Sequence, residues 1–237
     1  ISKGYRNDQA VVKQVSFSLF NVGESRHGEL AADVRVAGPV GTSVAQDLEP
    51  EYLALNSDNT KAYVALQENN AMAIIDVKTA TVDSIKSLGE KSWDAASGNR
   101  LDASNKDNGP GEFASYEQLV GLYMPDTIAS FSIEGSQYII SANEGDGREY
   151  IYSTTQKICD AANHSWDGDE YEVGGDDEDA TKYANELDDC ISFTDEKRGK
   201  NIVDLVDAAH PLKAALDDNN QLKRIKVIAD KDQYSVN

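Results

Sequence analysis

Residues 50 to 88 constrain the fold of this chain more than any other stretch. Four short runs, "YLALN" (52 to 56), "KAYVALQ" (61 to 67), "AMAIIDV" (71 to 77) and "VDSIKSL" (82 to 88), are rich in strand-forming residues and largely alternating or continuously apolar. Between them stand "SDNT", "ENN" and "KTAT", each built of turn formers. Four short strands joined by tight turns make an antiparallel meander. A lone meander leaves both faces uncovered, so it must stack against copies of itself, as blades do around the axis of a propeller.

A second copy follows without gaps. A shift of 75 positions lays "PEYLALNSDNTKAYVALQENN" (50 to 70) over "PDTIASFSIEGSQYIISANEG" (125 to 145), so that Pro50 meets Pro125, Glu51 meets Asp126, Tyr63 meets Tyr138 and Asn69 meets Glu144. Residues 11 to 19, "VVKQVSFSL", read as the outer strand of a preceding blade, and "RIKVIAD" (224 to 230) as a later strand. The fold class expected is all-β: a partial propeller of four-stranded antiparallel blades, YVTN-like, with blades near residues 1 to 45, 50 to 88 and 125 to 237. Two to three blades fall short of the roughly 4 to 8 that close a propeller. The expected partner is therefore further propeller sequence or a second chain. The absence of Met before Ile1 suggests a processed or truncated product.

Topology turns spacing into position. In a blade whose first strand lines the axis, the approach to strand 1 and the turn between strands 2 and 3 lie at one end. "QDLEPE" (46 to 51), the long connection 89 to 126, "QENN" and "NEGDGRE" should then share an end, while "SDNT", "KTAT" and "EGSQ" fall at the other. The polar and irregular material is thus gathered where loops on a rigid scaffold usually carry function.

Charge narrows the partners. Forty-two acids against 22 Lys and Arg give a net charge of -20, which repels phosphate backbones and argues against nucleic acid as a partner. Ten of the twenty excess negative charges lie in residues 167 to 189, where eleven acids face Lys182 alone. A solvated loop is the plain reading of such a run. Cys159 and Cys190, the only cysteines, bracket it as the ends of an acidic, partly helical insertion at 153 to 190. A disulfide is the simplest reading, with two separate buried thiols as the alternative; a bridge would point to an oxidising compartment. No run of about 18 apolar residues is present to span a membrane.

Taken together, "VAQDLEPEYLAL", "AYVALQENNAMAIIDV", "GNRLDASNKD", "GLYMPDTIASF" and "SANEGDGREY" resemble the choice-of-anchor I family of bacterial secreted or surface propellers, often labelled mesenchyme-specific cell surface glycoprotein-like. The resemblance runs from about residue 45 to 152 and resumes more loosely at "SFTDEKRG" and "QLKRIKV". It implies a seven-bladed type of propeller and an extracellular, cell-surface or periplasmic setting, and some relatives carry phosphatase-like labels.

Ordinary catalytic motifs are missing: no GxSxG, Walker sequence, HExxH or Rossmann fingerprint occurs, and His27, His164 and His210 are far apart. Calcium is the better chemical candidate, since hard cations take six to eight oxygen ligands. Glu49, Glu51, Asp102, Asp126, Glu144 and Asp146 are the expected metal ligands, on the loop end near the axis. The alternative role for these acids is to cap turns, pair with Arg100 and Arg148, or face water. Two functions follow. One is a secreted or cell-surface β-propeller serving as a binding or surface-associated module, expected to be cation-stabilised. The other is a calcium-dependent phosphoesterase, alkaline phosphatase-like or phytase-like, with Arg148 and Lys106 assisting an anionic substrate that the chain's charge would otherwise repel.

Overall fold

The structure is a computed structural model that describes residues 11–106, 109, 111–168 and 187–228. The chain divides into two compact units. The first comprises Ile1–Val36, Gly41–Lys91 and Leu122–Asp146, and the second Ala37–Val40, Ser92–Gly121 and Gly147–Asn237.

The first unit contains the expected meander. Strands β1 (Pro50–Leu55), β2 (Lys61–Leu66), β3 (Ala71–Asp76) and β4 (Thr81–Ser87) form one sheet in the order β1-β2-β3-β4, each pair antiparallel. The turns have the chemistry their residues announce. Asp58 accepts from the Thr60 backbone N–H at 3.0 Å, and Asn59 takes a left-handed φ of 58° to close the first turn.

Register places the apolar residues on one face. Ala62 pairs with Ile75 and Ile75 with Val82; Val64 pairs with Ala73 and Ala73 with Ile85; Leu66 pairs with Ala71. These side chains form a core with Phe20, Val34, Val44 and Leu48. Full burial of a Leu such as Leu66 contributes on the order of 1.5 to 3 kcal/mol. The preceding chain covers this face without being a strand: Val15 and Phe17 pack on the core, and Ser18–Phe20 is a 3-10 turn. The outer strand expected at 11 to 19 is therefore absent. Val15 and Phe17 do the covering from an irregular segment, with Val11, Val12 and Leu19 exposed, and the backbone groups of Phe17 and Ser18 close turns on Phe20 and Asn21 rather than meeting a ladder.

After β4, β5 (Glu90–Ser92) and β6 (Val120–Leu122) carry the chain out of the first unit and back. β7 (Pro125–Ile133) and β8 (Ser136–Asn143) then form a two-stranded hairpin in the first unit. It lies beside β1. The Ser130 hydroxyl donates to the Leu55 carbonyl, and the Ser57 N–H donates to Gln137 at 3.4 Å. Leu55 and Ser130 are separated by 75 residues, the repeat length read from the sequence, so equivalent positions of the two copies touch. The opposite face of this hairpin is apolar and exposed: Phe131, Tyr138 and Ile140 are 43%, 46% and 60% exposed, and the Phe131 and Tyr138 rings stack at 5.5 Å.

In the second unit, β9 (Glu149–Thr154) pairs with β11 (Asp188–Thr194), and β10 (Ser165–Trp166) pairs with the other side of β11. The second copy thus departs from the four-stranded pattern expected of it, because β9, read as its third strand, belongs to a different sheet. Asp188 pairs with Thr154 and Cys190 with Tyr152, so the insertion leaves the sheet as a long excursion between two paired strands. Cys190 is joined to Cys159, on the helix Gln156–Ala161, by a disulfide, and both are fully buried. Residues 169 to 186, which hold most of the acidic run, lie outside the described residues. Strands β12 (Glu196–Arg198) and β13 (Lys226–Ile228) pair antiparallel, which places a strand within "RIKVIAD" as expected, though a shorter one. A second core of Tyr116, Ala215, Leu216 and Leu222 lies under the short helices Gly199–Ile202 and Lys213–Asp217. Among the described residues, antiparallel sheets predominate and no closed propeller is formed.

Candidate functional site

In the first unit, "QENN" is the point where the loop end is assembled. Asn69 and Asn70 follow β2, and both are buried. The Asn69 amide donates to the Asp47 carboxylate at 2.7 Å, to the Arg35 carbonyl at 2.8 Å and to the Asp47 carbonyl at 3.3 Å, and its oxygen accepts from the Glu49 N–H at 3.2 Å. One side chain therefore fixes the approach to β1. Asn70 fixes the approach to β7: its oxygen accepts from the N–H groups of Tyr123 at 2.9 Å and Met124 at 3.2 Å, while its amide donates to the Gly89 carbonyl at 2.7 Å. Buried amides with every bond made add specificity at little net cost, whereas an unmade bond costs the full desolvation of the group.

Asn70 achieves this from a left-handed backbone, φ 48°. Its counterpart in the second copy is Gly145, φ 77°, whose N–H reaches the Met124 carbonyl at 3.5 Å, beside a 3.3 Å bond from the Glu144 N–H. The two copies thus turn alike after their second strands, and glycine relieves the strain that Asn70 tolerates. The approaches to β1 and β7 and the turns after β2 and β8 share one end of the first unit, and Ser57 with Gln137 marks the other. For these segments that is the segregation expected from the sequence, but residues Ser92–Gly121 of the long connection, and the chain from Gly147 on, belong to the second unit.

On this end three carboxylates converge. Ligand oxygens of Glu49, Glu51 and Glu68 all lie within 4.8 Å of one another, with Glu49 and Glu68 half-buried and Glu51 exposed. Glu49 and Glu51 were expected here. Glu68 was missed, although it stands in "QENN", already assigned to this end; the sequence could not show that the second residue after β2 turns toward Glu49. Among the described residues, Asp126, Glu144 and Asp146 join no such group. They are exposed, and Asp126 accepts from the adjacent Thr127 hydroxyl at 2.8 Å.

The remaining expected residues lie in the second unit. Arg148 is 1% exposed, so its guanidinium is not presented to solvent. Its N–H donates to Asp195 at 2.7 Å, and the Asp195 N–H returns a bond to the Arg148 carbonyl at 3.2 Å. Gly147 is glycine by necessity of space, since a Cβ there would stand 2.7 Å from the Glu196 Cβ. Lys106 is exposed and donates its backbone N–H to the Ser104 hydroxyl at 3.0 Å. Asp102 lines a cleft with Ala103, Ser104, Asn105, Arg198 and Arg224. Nearby, burial first and then the negative fields of Asp102, Asp218 and Glu112 hold the Tyr116 phenol above its ordinary pKa.

At the far end of the first unit, Lys61 bridges Asp76 at 2.9 Å and Asp83 at 2.5 Å. The Thr79 backbone N–H, then Lys61 and the Thr79 hydroxyl, hold the Asp76 carboxyl far below the usual carboxylate range. These are turn and strand-edge contacts of a kind that needs no ligand.

Among the described residues no helix is long and apolar enough to cross a membrane. A family model described as the choice-of-anchor I domain matches residues 2–236. No curated protein and no solved structure matches the chain.

Proposed function

Since the chain belongs to the choice-of-anchor I family, a family of surface-associated domains, we propose that it is a secreted or cell-surface module of propeller blades that binds through the loop end of its first unit. The observation that carries this reading is the contact between Leu55 and Ser130, equivalent residues of two sequence copies 75 positions apart. Copies that stack in a constant register are the building rule of a propeller. The exposed face of Phe131, Tyr138 and Ile140 supports a further blade as its covering, supplied by more of the same protein or by a second chain. The buried disulfide supports an oxidising, extracytoplasmic setting.

The setting is tested by digesting intact native cells with an impermeant protease. Loss of the protein before lysis is the expected result, and full protection until lysis would overturn the surface assignment. The blade reading is tested by light scattering of the chain with and without Tyr138→Glu and Ile140→Glu. The wild type should self-associate through the apolar face and the variants should be monomeric; a monomeric, freely soluble wild type would count against an uncovered blade.

Cation stabilisation is the second reading, and the convergence of Glu49, Glu51 and Glu68 favours it. Oxygens on one Ca²⁺ sphere lie at most about twice the Ca–O distance apart, roughly 4.6 to 5.2 Å, and the three carboxylates meet that limit. Calorimetry with CaCl₂ on the wild type and on Glu68→Gln tests it: binding should be seen and then lost, and no heat from the wild type would end the reading. Nothing favours the phosphoesterase alternative, and the burial of Arg148 removes one of the two cations it relied on.

A further inference from the structure

The cleft of the second unit unites two segments that the functional reading leaves unused. "TDEKRGK" and "QLKRIK" are distant in sequence, but β12 and β13 pair them, with Arg198 opposite Lys226. Residues 196 to 226 hold seven Lys and Arg against five acids, in a chain where acids outnumber bases 42 to 22. Arg198 and Arg224 open onto one cleft of about 420 Å³, whose other walls are Asp102, Ala103, Ser104 and Asn105.

The walls are fixed on both sides. Arg198 donates to the Arg224 carbonyl at 2.7 Å, which holds its side chain across the turn Leu222–Arg224. The opposite loop is pinned by the Ser104 hydroxyl, which donates to the Asn219 carbonyl at 2.5 Å and accepts from the Lys106 N–H. Among the described residues neither Arg198 nor Arg224 forms an ion pair with a carboxylate. Two planar forks of N–H donors with no carboxylate on them match a carboxylate or a phosphate monoester.

Asp102 restricts the class further. An ionised carboxylate only accepts hydrogen bonds and repels a second anionic group, so the part of the ligand that meets it must carry hydrogen-bond donors, such as hydroxyls, and no negative charge. The cleft has little apolar lining and is within the size range of small-molecule sites, roughly 300 to 1,000 Å³. We infer that this cleft binds an acidic sugar, with its single anionic group between Arg198 and Arg224 and its hydroxyls on Asp102 and Asn105. The carboxylate of a uronic acid and the phosphate of a sugar monophosphate present the same chemistry to the two arginines.

Calorimetry on the full chain distinguishes the sources and tests the site, using glucuronate, glucose 6-phosphate, glucose and inorganic phosphate as probes. At least one acidic sugar should bind, with glucose and inorganic phosphate weaker by about tenfold or more. Binding of glucuronate alone identifies a carboxylate ligand, and of glucose 6-phosphate alone a phosphate ester; both outcomes support the site. Arg198→Gln and Arg224→Gln should each weaken the bound sugar by about tenfold or more, and their exposed side chains leave the circular dichroism unchanged. Asp102→Asn should narrow the margin over inorganic phosphate. No heat from either acidic sugar at about 10 mM, inorganic phosphate binding as well as the sugars, or affinity untouched by both arginine substitutions would each overturn the proposal.

Discussion

Asn69→Ala is expected to loosen the loop end of the first unit while leaving the sheet below it in register. The substitution removes an amide whose bonds go to the Asp47 carboxylate, the Asp47 and Arg35 carbonyls and the Glu49 N–H. Asp47 is fully buried, so its carboxylate would keep its desolvation cost without this donor; Arg35 and Glu49 are half-buried and recover part of theirs from water. At about 1 to 3 kcal/mol for each buried group left unmade, with partial recovery at two of them, the loss comes to about 2 to 4 kcal/mol. For a chain of this size that is a fall in Tm of about 4 to 16 °C, read by far-UV circular dichroism under oxidising conditions. Asn69→Asp sharpens the test. It sets a second carboxylate where the amide stood 2.7 Å from the Asp47 oxygen, so it should cost more than alanine at neutral pH. Its penalty should shrink on acidification, as one shared proton restores a donor between the two oxygens. An alanine variant melting within about 2 °C of the wild type, or an aspartate variant with no pH dependence, would refute the view that this amide organises the end.

Further outcomes follow from other contacts. Opening the Cys159–Cys190 disulfide, whose partners are 31 residues apart, should lower stability by about 3 to 4 kcal/mol on the loop-entropy estimate, measured as urea midpoints of the wild type and a double Cys→Ser variant. Asp76→Asn should destabilise at neutral pH and become silent in acid: its folded pKa is depressed, so its contribution is complete above the unfolded value of about 3.9 and disappears as pH falls through the folded one. Melting curves of wild type and variant that stay parallel down to the lowest accessible pH would contradict this. Gly147→Ala should cost about 1 to 3 kcal/mol by overpacking, because the new methyl meets the Glu196 Cβ at 2.7 Å; an unchanged melting temperature would mean that β12 yields without strain.

How much of this was legible depends on whether a feature is local. The four strands of the meander match their sequence runs to within two residues at each end, because period-two patterning and turn residues act over a few positions. The shared end of the loops was legible too, since connectivity alone decides it. The partners of β9 were not. Its run "EYIYST" offers apolar side chains to a neighbour without naming one, and the choice of β11 is made by pairings across 34 residues or more of chain, from Asp188 opposite Thr154 to the buried cystine beside Tyr152. The acids show the same limit. Glu51, Asp126, Glu144 and Asp146 look equivalent in sequence, yet among the described residues only Glu51 of these four joins a group of three carboxylates, because the β2 turn swings Glu68 toward it and toward Glu49. In the second copy the position of Glu68 is held by Asn143, the last residue of β8, and that of Asn69 by Glu144. The carboxylate has moved one place along the turn, which carries it out of the cluster geometry while the left-handed residue that follows stays in place. A repeat can therefore conserve the backbone of its turn and still assemble its acids in one copy alone.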